Sequence, residues 1–127
     1  MNVEHTLKEN TMIVSETDTK GIIVYANEDF CKMAGYTKDE LIGQPHNMVR
    51  HSDMPKVAFK GLWDDLKAGK TWKGIVKNKT KNGDFYWVYA TAYPSTDSSG
   101  NTRYISVRVK PTKEEIENAQ NLYKTLV

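Results

Sequence analysis

The chain has 127 residues, of which 39% are hydrophobic and 27% are charged, and its formal net charge is +2; this composition is typical of one globular domain with a single core. The 18 basic residues are interleaved with 16 carboxylates, so no basic surface for nucleic acid is indicated. The single cysteine, Cys31, excludes an intrachain disulfide and favours a reducing compartment. No apolar run has the length of a signal peptide or a membrane span. We therefore expect a cytoplasmic domain that requires no membrane contact, within a parent protein that a membrane segment elsewhere could anchor.

The first part of the chain predicts a polar segment followed by a β-hairpin. Residues 1–10 are polar and have at most weak helical or capping character. Residues 11–17 alternate loosely between apolar and polar side chains, and residues 22–26 form a β-branched run after a turn that contains Gly21. Two such runs around a short turn are typical of paired antiparallel strands.

Helix signals dominate the middle of the chain. Asn27 precedes two carboxylates and predicts a helix N-cap, and the helix is expected to end at Gly35. Thr37 and Glu40 have the spacing of a capping box. Apolar side chains between residues 57 and 66 approximate the 3.6-residue period of a longer helix.

The last part of the chain predicts three strands and a helix. Residues 72–80, 85–93 and 103–110 are rich in β-formers, and the Asn-Gly pair between the first two is a strong hairpin signal. Thr112 is expected to cap a final amphipathic helix. Two strands before the helical part and three after it imply an α+β fold. We expect a five-stranded antiparallel sheet with short helices on one face and a C-terminal amphipathic helix.

This order of elements resembles the PAS fold, and three stretches carry the resemblance. They are GIIVYAN at residues 21–27 followed by Phe30, GYTKDELIG at residues 35–43, and KNGDFYWV at residues 81–88. The resemblance implies an N-terminal cap segment at residues 1–10 and a PAS sensor domain at residues 11–111. It also implies that residues 112–127 form a linker helix to an output module, and PAS domains of this kind can form dimers.

A narrower resemblance lies between these stretches. GQPHNMVRHSDMP at residues 43–55 is similar to the PAS domain of the aerotaxis receptors and related chemoreceptors. The resemblance implies a non-covalently bound FAD whose redox state is read by a chemotaxis output module of the same chain. Ser52 departs from the proline that is common at this point of the motif. The implied site residues are Arg50, His51 and Asp53, followed in second rank by Asn27, Trp63 and Trp72.

The residues by themselves leave two interpretations of this segment open. A flavin needs an apolar slot with a few fixed polar groups, and Arg50 can hold a carbonyl or phosphate oxygen with its fork. His51 can donate or accept a hydrogen bond, and Asp53 can orient either neighbour. Equally, Arg50 and Asp53 have the spacing of a simple ion pair or cap, and His51 fits a plain capping or loop histidine. Trp63 falls on an apolar helix face, which favours core packing, and Trp72 begins a strand.

Motif comparisons narrow the cofactor chemistry. Without a Gly-x-Gly-x-x-Gly motif, no dinucleotide site of the Rossmann kind is expected. In the register of LOV-type PAS photoreceptors, which this chain also resembles, His46 stands at the position of the adduct-forming cysteine, so no thiol adduct is expected. Val88 and Arg108 stand where LOV domains carry flavin-reading amides, so a bound ring would be oriented differently. FAD and FMN both stay open on the residues alone.

Other functional classes remain as alternatives. No nucleophile stands with a spaced base and acid partner, so we do not expect an enzyme. A single histidine, His46 or His51, could ligate haem, as in some other PAS sensors. A PAS module without a cofactor would serve dimerisation or bind a small metabolite.

Overall fold

An antiparallel sheet forms one layer of the computed structural model, which describes residues 2–126. Its strands are β1 (Glu4–His5), β2 (Ile13–Thr17), β3 (Ile23–Ala26), β4 (Trp72–Lys79), β5 (Phe85–Thr96) and β6 (Thr102–Val109). The main spatial order is β4-β5-β6-β2-β3, with every neighbouring pair antiparallel. The two-residue β1 pairs in parallel with the first residues of β5. The predicted five-stranded antiparallel sheet is confirmed, and β1 is an addition to it.

Short helices between β3 and β4 form the second layer. They are α1 (Glu28–Ala34), α2 (Lys38–Leu41), a 3-10 helix (His46–Val49) and α3 (Lys56–Lys67), and α4 (Lys113–Leu126) follows the sheet. The predicted caps are present: Asn27 caps α1, and the pairs Thr37–Glu40 and Thr112–Glu115 exchange side-chain-to-backbone hydrogen bonds. Among residues 2–126, no helix has both the length and the apolar character that crossing a membrane requires.

The pleat of the sheet sorts its side chains between two faces. On β4 and β5 the even-numbered residues point towards the helices, and Val76, Val88 and Ala90 are buried there together with Phe30 of α1. The odd-numbered residues point to the opposite face. The main core therefore lies between the sheet and α1. A smaller cluster packs under α3 and contains Leu66, Ala92 and Tyr104.

The N-terminal segment differs from the sequence expectation. Its backbone at β1 is extended, because the Asp84 carboxylate accepts the Val3 N–H at 3.1 Å and pairs with His5 Nε2 at 2.8 Å. Leu7 then enters the main core and is only 2% exposed. At most weak helical or capping character was expected at residues 1–10. Residues 2–10 contain no helix, and the extended backbone was not predicted, because the contacts that fix it come from the β4–β5 turn, far along the chain.

The outer edge of β4 is covered by two segments. The Ile75 carbonyl accepts a hydrogen bond from the Tyr123 hydroxyl of α4 at 2.5 Å. Two residues further on, the Lys77 carbonyl accepts from the His51 backbone N–H at 3.2 Å, and the Lys77 N–H donates to Met54 Sδ at 3.4 Å. These contacts occupy hydrogen-bonding groups that an edge strand otherwise leaves open. They place α4 and residues 50–54 next to each other along β4.

Two glycines give a matched test of the packing around β4. A Cβ on Gly74 would lie 2.5 Å from the Trp72 ring, whereas a Cβ on Gly61 in α3 would meet nothing within 4 Å. We expect Gly74→Ala to displace Trp72 and to lower the free energy of unfolding by about 1–3 kcal/mol. We expect Gly61→Ala to raise it by up to about 1 kcal/mol, because alanine favours the helix. Urea unfolding followed by tryptophan fluorescence measures both, and equal effects would contradict the described packing.

Candidate functional site

A cavity of about 230 Å³ lies between the inner face of the sheet and α3. The α3 side supplies apolar side chains, and the sheet supplies a mixture of apolar and polar ones. The apolar lining includes Phe59, Leu62, Trp63, Val76 and Ala90, and the polar lining includes Ser15, His46, Asn78 and Arg108. The lining residues Lys20, Pro45 and Asn47 are exposed, so the cavity opens to solvent beside them.

Three polar side chains form a hydrogen-bonded group in the cavity wall, called here the Arg108 group (Ser15, His46 and Arg108). Arg108 of β6 donates from Nη2 to Ser15 Oγ of β2 at 2.5 Å and from Nη1 to His46 Nε2 at 3.2 Å. Ser15 Oγ and His46 Nε2 are 3.0 Å apart. The Phe30 ring supports the group from α1, since His46 stacks on it with centroids 5.8 Å apart and Arg108 Cζ lies 4.5 Å from its centroid.

The donors and acceptors of this group fix the state of His46. A guanidinium can only donate hydrogen bonds, so His46 Nε2 must accept, and the proton of the neutral ring lies on Nδ1. A second proton on Nε2 would face the charge of Arg108. Burial of the imidazole, reinforced by that charge, lowers the pKa of His46 to about 3. His46 is therefore neutral at physiological pH.

Arg108 is a buried cation with no carboxylate partner in the described part of the chain. It is 2% exposed, and its Nε has no hydrogen-bond partner among residues 2–126. It takes part in none of the ion pairs formed within those residues. Burial lowers the pKa of Arg108 to about 10 and raises the pKa of the nearby Tyr86 hydroxyl to about 12. Tyr86 thus stays neutral and supplies no counter-charge.

Arg50 and Trp63, two of the residues predicted from the sequence, line the cavity. Arg50 stacks on Phe59 with Cζ 4.7 Å from the ring centroid, and its backbone bridges to Asn78 of β4. Trp63 packs edge-on against Tyr104 with centroids 5.7 Å apart. Both side chains stand where a ligand in the cavity would meet them.

His51 and Asp53 do not line the cavity and lie outside the edge of β4. Residues 50 and 51 run antiparallel to β4, and consecutive side chains of an extended chain point to opposite faces. His51 packs edge-on against Phe85 with centroids 6.0 Å apart. Asp53 pairs with Lys77 at 2.8 Å, and the Lys77 Nζ lies 4.4 Å from the Phe85 centroid.

These three side chains form an outer clasp (His51, Asp53 and Lys77) that holds the loop to β4. His51 Nδ1 accepts the backbone N–H of Asp53 at 3.0 Å. Burial, together with the Lys77 charge, lowers the pKa of His51. The hydrogen bond from Lys77 lowers the pKa of Asp53. At neutral pH the clasp therefore contains a charged Asp53–Lys77 pair and a neutral imidazole.

Asn27 and Trp72, the remaining predicted site residues, contact other parts of the fold. Asn27 Oδ1 accepts the backbone N–H groups of Phe30 at 3.1 Å and Val14 at 3.0 Å, which joins α1 to β2. Trp72 lies over Gly74 and borders a second, open groove between α3, β4 and α4. Their described contacts thus cap a helix and pack a strand, away from the cavity.

The cavity also contains residues that sequence reasoning did not select as site residues. Ser15 and Asn78 were not singled out, Arg108 was named only through the register of LOV domains, and His46 was named through that register and as a possible haem ligand. Ser15 is 1% and Asn78 is 3% exposed. Both occupy inward-facing positions of their strands. A polar residue at such a position was the available signal, because strand alternation places it in the interior.

Comparison with known proteins identifies relatives of this chain. The family model described as "PAS fold" matches residues 23–108. The chain is 50% identical over 120 residues to the aerotaxis receptor of Escherichia coli (strain K12), which covers 94% of this chain and 24% of the receptor. It is 27% identical over 94 residues to the nitrogen fixation regulatory protein of Klebsiella oxytoca, covering 74% of this chain and 19% of that protein. The chain thus spans a quarter or less of the length of these relatives.

Solved structures share the architecture. The dark structure of the blue-light photoreceptor Aureochrome1 LOV superposes with a TM-score of 0.73 at 22% sequence identity. The match covers 87% of this chain and 85% of that chain. At this identity the likeness concerns the fold alone.

His46 makes the stability of the folded protein depend on pH. Its pKa is about 3 in the folded protein against an ordinary value of 6.5, so between these values the unfolded chain binds a proton that the folded protein does not. The contribution of His46 to the unfolding free energy therefore has its full value above pH 6.5. As pH falls below the ordinary pKa of histidine, this contribution decreases by about 1.4 kcal/mol per pH unit. His46→Gln keeps an acceptor for Arg108 but does not titrate. We expect the unfolding free energy of wild type, measured in urea, to fall more steeply with decreasing pH than that of His46→Gln; parallel pH profiles would contradict this.

Proposed function

We propose that this chain, which belongs to the PAS family, is a flavin-binding sensor domain. In this proposal it binds FAD without a covalent bond and passes a change in redox state to a chemotaxis-type output module of the same protein. The observation that carries the proposal is the cavity, whose apolar walls and buried donors suit a flavin, in a chain 50% identical to an aerotaxis receptor. The domain would signal and not catalyse, and it would work in the cytoplasm.

The cavity suits the ring system of a flavin more than a whole dinucleotide. Its volume is about 230 Å³, while pockets that enclose whole ligands measure roughly 300–1,000 Å³. The ring would lie against Trp63 on α3, with the Arg108 group and Asn78 as hydrogen-bonding partners for its polar edge. The phosphate-bearing part would leave through the open side of the cavity, and the fork of Arg50 suits a phosphate oxygen. FMN would use the same ring site and is the alternative cofactor.

Within this proposal, His51 and Asp53 support the cofactor through the loop. The outer clasp fixes residues 51 and 53 to Lys77, and the same antiparallel pairing turns Arg50 inward. Loss of the clasp would free Arg50 from its position on Phe59. His51 and Asp53 thus act as positioning residues for Arg50, and direct contact with the cofactor stays a separate prediction.

The output in this proposal runs through β4 to α4. A bound flavin supplies reversible electron uptake from a cellular electron carrier, and the chain supplies the groups that register it. Val76 and Asn78 of β4 line the cavity. The neighbouring Ile75 accepts the Tyr123 hydroxyl of α4 at 2.5 Å. A shift of β4 by a fraction of an ångström would therefore change the position of α4 on β4. A free-energy difference of ~1–3 kcal/mol between two positions of α4 changes their equilibrium ratio by one to two orders of magnitude.

The alternative is a PAS module that binds a small anionic metabolite instead of a flavin. The small cavity and the buried charge of Arg108 favour this second candidate. Haem receives less support, because His46 Nε2 already accepts from Arg108 and lies within hydrogen-bond distance of Ser15.

The direct test is the visible spectrum of the purified domain, before and after titration with FAD and with FMN. We expect flavin absorption and quenched flavin fluorescence, with FAD bound more tightly. Native mass spectrometry identifies any other small ligand. A colourless protein that takes up neither flavin would overturn the proposed function, and a bound metabolite would support the alternative.

Trp63 and Trp72 provide a matched pair for the position of the ring. Trp63 lines the cavity and Trp72 does not. We expect Trp63→Phe to weaken flavin binding by on the order of three- to tenfold, the loss of about 0.5–1.5 kcal/mol of aromatic contact. Trp72→Phe should leave the affinity unchanged, as measured by fluorescence titration. Equal losses from both changes would contradict a ring placed against α3.

A double-mutant cycle separates the clasp from direct cofactor contact. If Asp53 acts through Lys77, we expect Asp53→Asn and Lys77→Met each to weaken flavin binding, and the double variant to be no weaker than the worse single variant. Flavin affinity by titration is the measurement, and hydrogen exchange at residues 50–55 reports whether the loop has opened. Additive losses in the double variant would instead indicate that Asp53 touches the cofactor itself.

A further inference from the structure

The contacts of Arg108 leave its charge available to the cavity. Its hydrogen-bond partners are Ser15 Oγ and a neutral His46, and its third neighbour is the Phe30 ring. None of these carries a negative charge. Burying a cation beside neutral groups costs more free energy than the contacts return. Arg108 lines the cavity, and its Nε is buried without a hydrogen-bond partner among residues 2–126. Such a donor set suits a ligand atom that carries, or acquires, negative charge.

The two arginines of the cavity start from different parts of the sheet. Arg50 bridges to Asn78 of β4, and Arg108 lies on β6 with β5 between the two strands. Their backbones are therefore about three strand spacings apart, roughly 14 Å across the sheet. Arg50 is half-buried, whereas Arg108 is only 2% exposed. The phosphate is therefore assigned to Arg50, and the polar edge of the ring to Arg108.

We propose that Arg108 binds the N1–C2 carbonyl edge of the flavin ring and thereby sets the redox preference of the site, an inference that rests on the proposed function. Full reduction of the ring adds two electrons and one proton, with the proton on N5, and leaves one negative charge on the N1–C2 carbonyl edge. The electrons come from a two-electron donor, dithionite in the experiment below. Arg108 pairs with that charge, so it binds the reduced ring more tightly than the oxidised one.

Ser15 and His46 position the guanidinium for this task. Each accepts a hydrogen bond from one terminal nitrogen of Arg108, and the Phe30 ring of α1 packs against the guanidinium. The other titratable group that acts on Arg108 is Tyr86, which is neutral. The positive charge at the ring edge is therefore constant over the physiological pH range, and it comes from Arg108 alone within the Arg108 group.

The experiment reduces the flavin-loaded protein with dithionite and measures its reduction potential against a reference dye, for wild type, Arg108→Gln, Arg108→Lys and the matched control Arg50→Gln. We expect Arg108→Gln to lower the affinity for the reduced ring at least tenfold relative to the oxidised ring, which is about 30 mV per tenfold for two electrons. Arg108→Lys should restore most of the potential. Arg50→Gln should weaken binding of both redox states equally. Sulfite, which adds to N5 and places its charge on N1, should bind Arg108→Gln at least tenfold more weakly than wild type.

A second measurement needs only the wild-type protein, so it tests the inference even where a variant fails to fold or to bind flavin. With N1 kept deprotonated by Arg108, reduction takes up one proton per two electrons, and the potential changes by about 30 mV per pH unit down to mildly acidic pH. A slope twice as steep there, or an unchanged potential and sulfite affinity in Arg108→Gln, would overturn this inference while leaving the flavin in place. Failure of wild type to bind flavin would overturn the proposed function first and this inference with it.

Discussion

The hydrogen bonds of one buried arginine determine where this fold can have a cavity. Arg108 stays charged at physiological pH, so its donors need partners in the interior, and Ser15, 93 positions away in the chain, and His46, 62 positions away, supply them. This requirement joins β2, β6 and the 3-10 helix at one point, with Phe30 of α1 beneath it. Apolar packing cannot continue through such a polar group. The buried apolar residues form two separate clusters, one around Phe30 and one around Leu66, and the cavity borders both.

The loop before α3 shows how strand geometry divides a functional motif. Arg50 and His51 are adjacent in sequence, but the loop pairs with β4 as an extended segment, so their side chains lie on opposite sides of the sheet edge. If the motif formed one cofactor-binding cluster, all its side chains would lie on the same side of the sheet edge. The backbone allows this only for alternate residues. Arg50 therefore reaches the cavity, while His51 and Asp53 form the clasp with Lys77.

The elements that the sequence predicted well are those whose signals are local. Asn27, Thr37 and Thr112 cap their helices through partners three residues away, and the strands follow from alternation. The Arg108 group was beyond this reasoning, because it depends on the register between β2 and β6, where Ile13 faces Arg108 and Ser15 faces Ser106. Register over such a separation is set by the packing of the whole sheet. Only the family resemblance drew attention to Arg108 and His46: both were named as departures from LOV domains, and His46 also as a possible haem ligand.

The strand β4 borders the cavity with one face and contacts α4 at its outer edge. The clasp holds Lys77 and α4 holds Ile75, two residues apart on one strand edge, while the residues between and beside them, Val76 and Asn78, face the cavity. A strand moves as a unit with its ladder partners, so a ligand that pulls on the inner face also displaces the edge carbonyls. Tyr123 follows the Ile75 carbonyl or loses its hydrogen bond. In the proposed function, a change in a ligand beside Arg108 would pass through β5 and β4 to reach the contact between Ile75 and Tyr123 of α4.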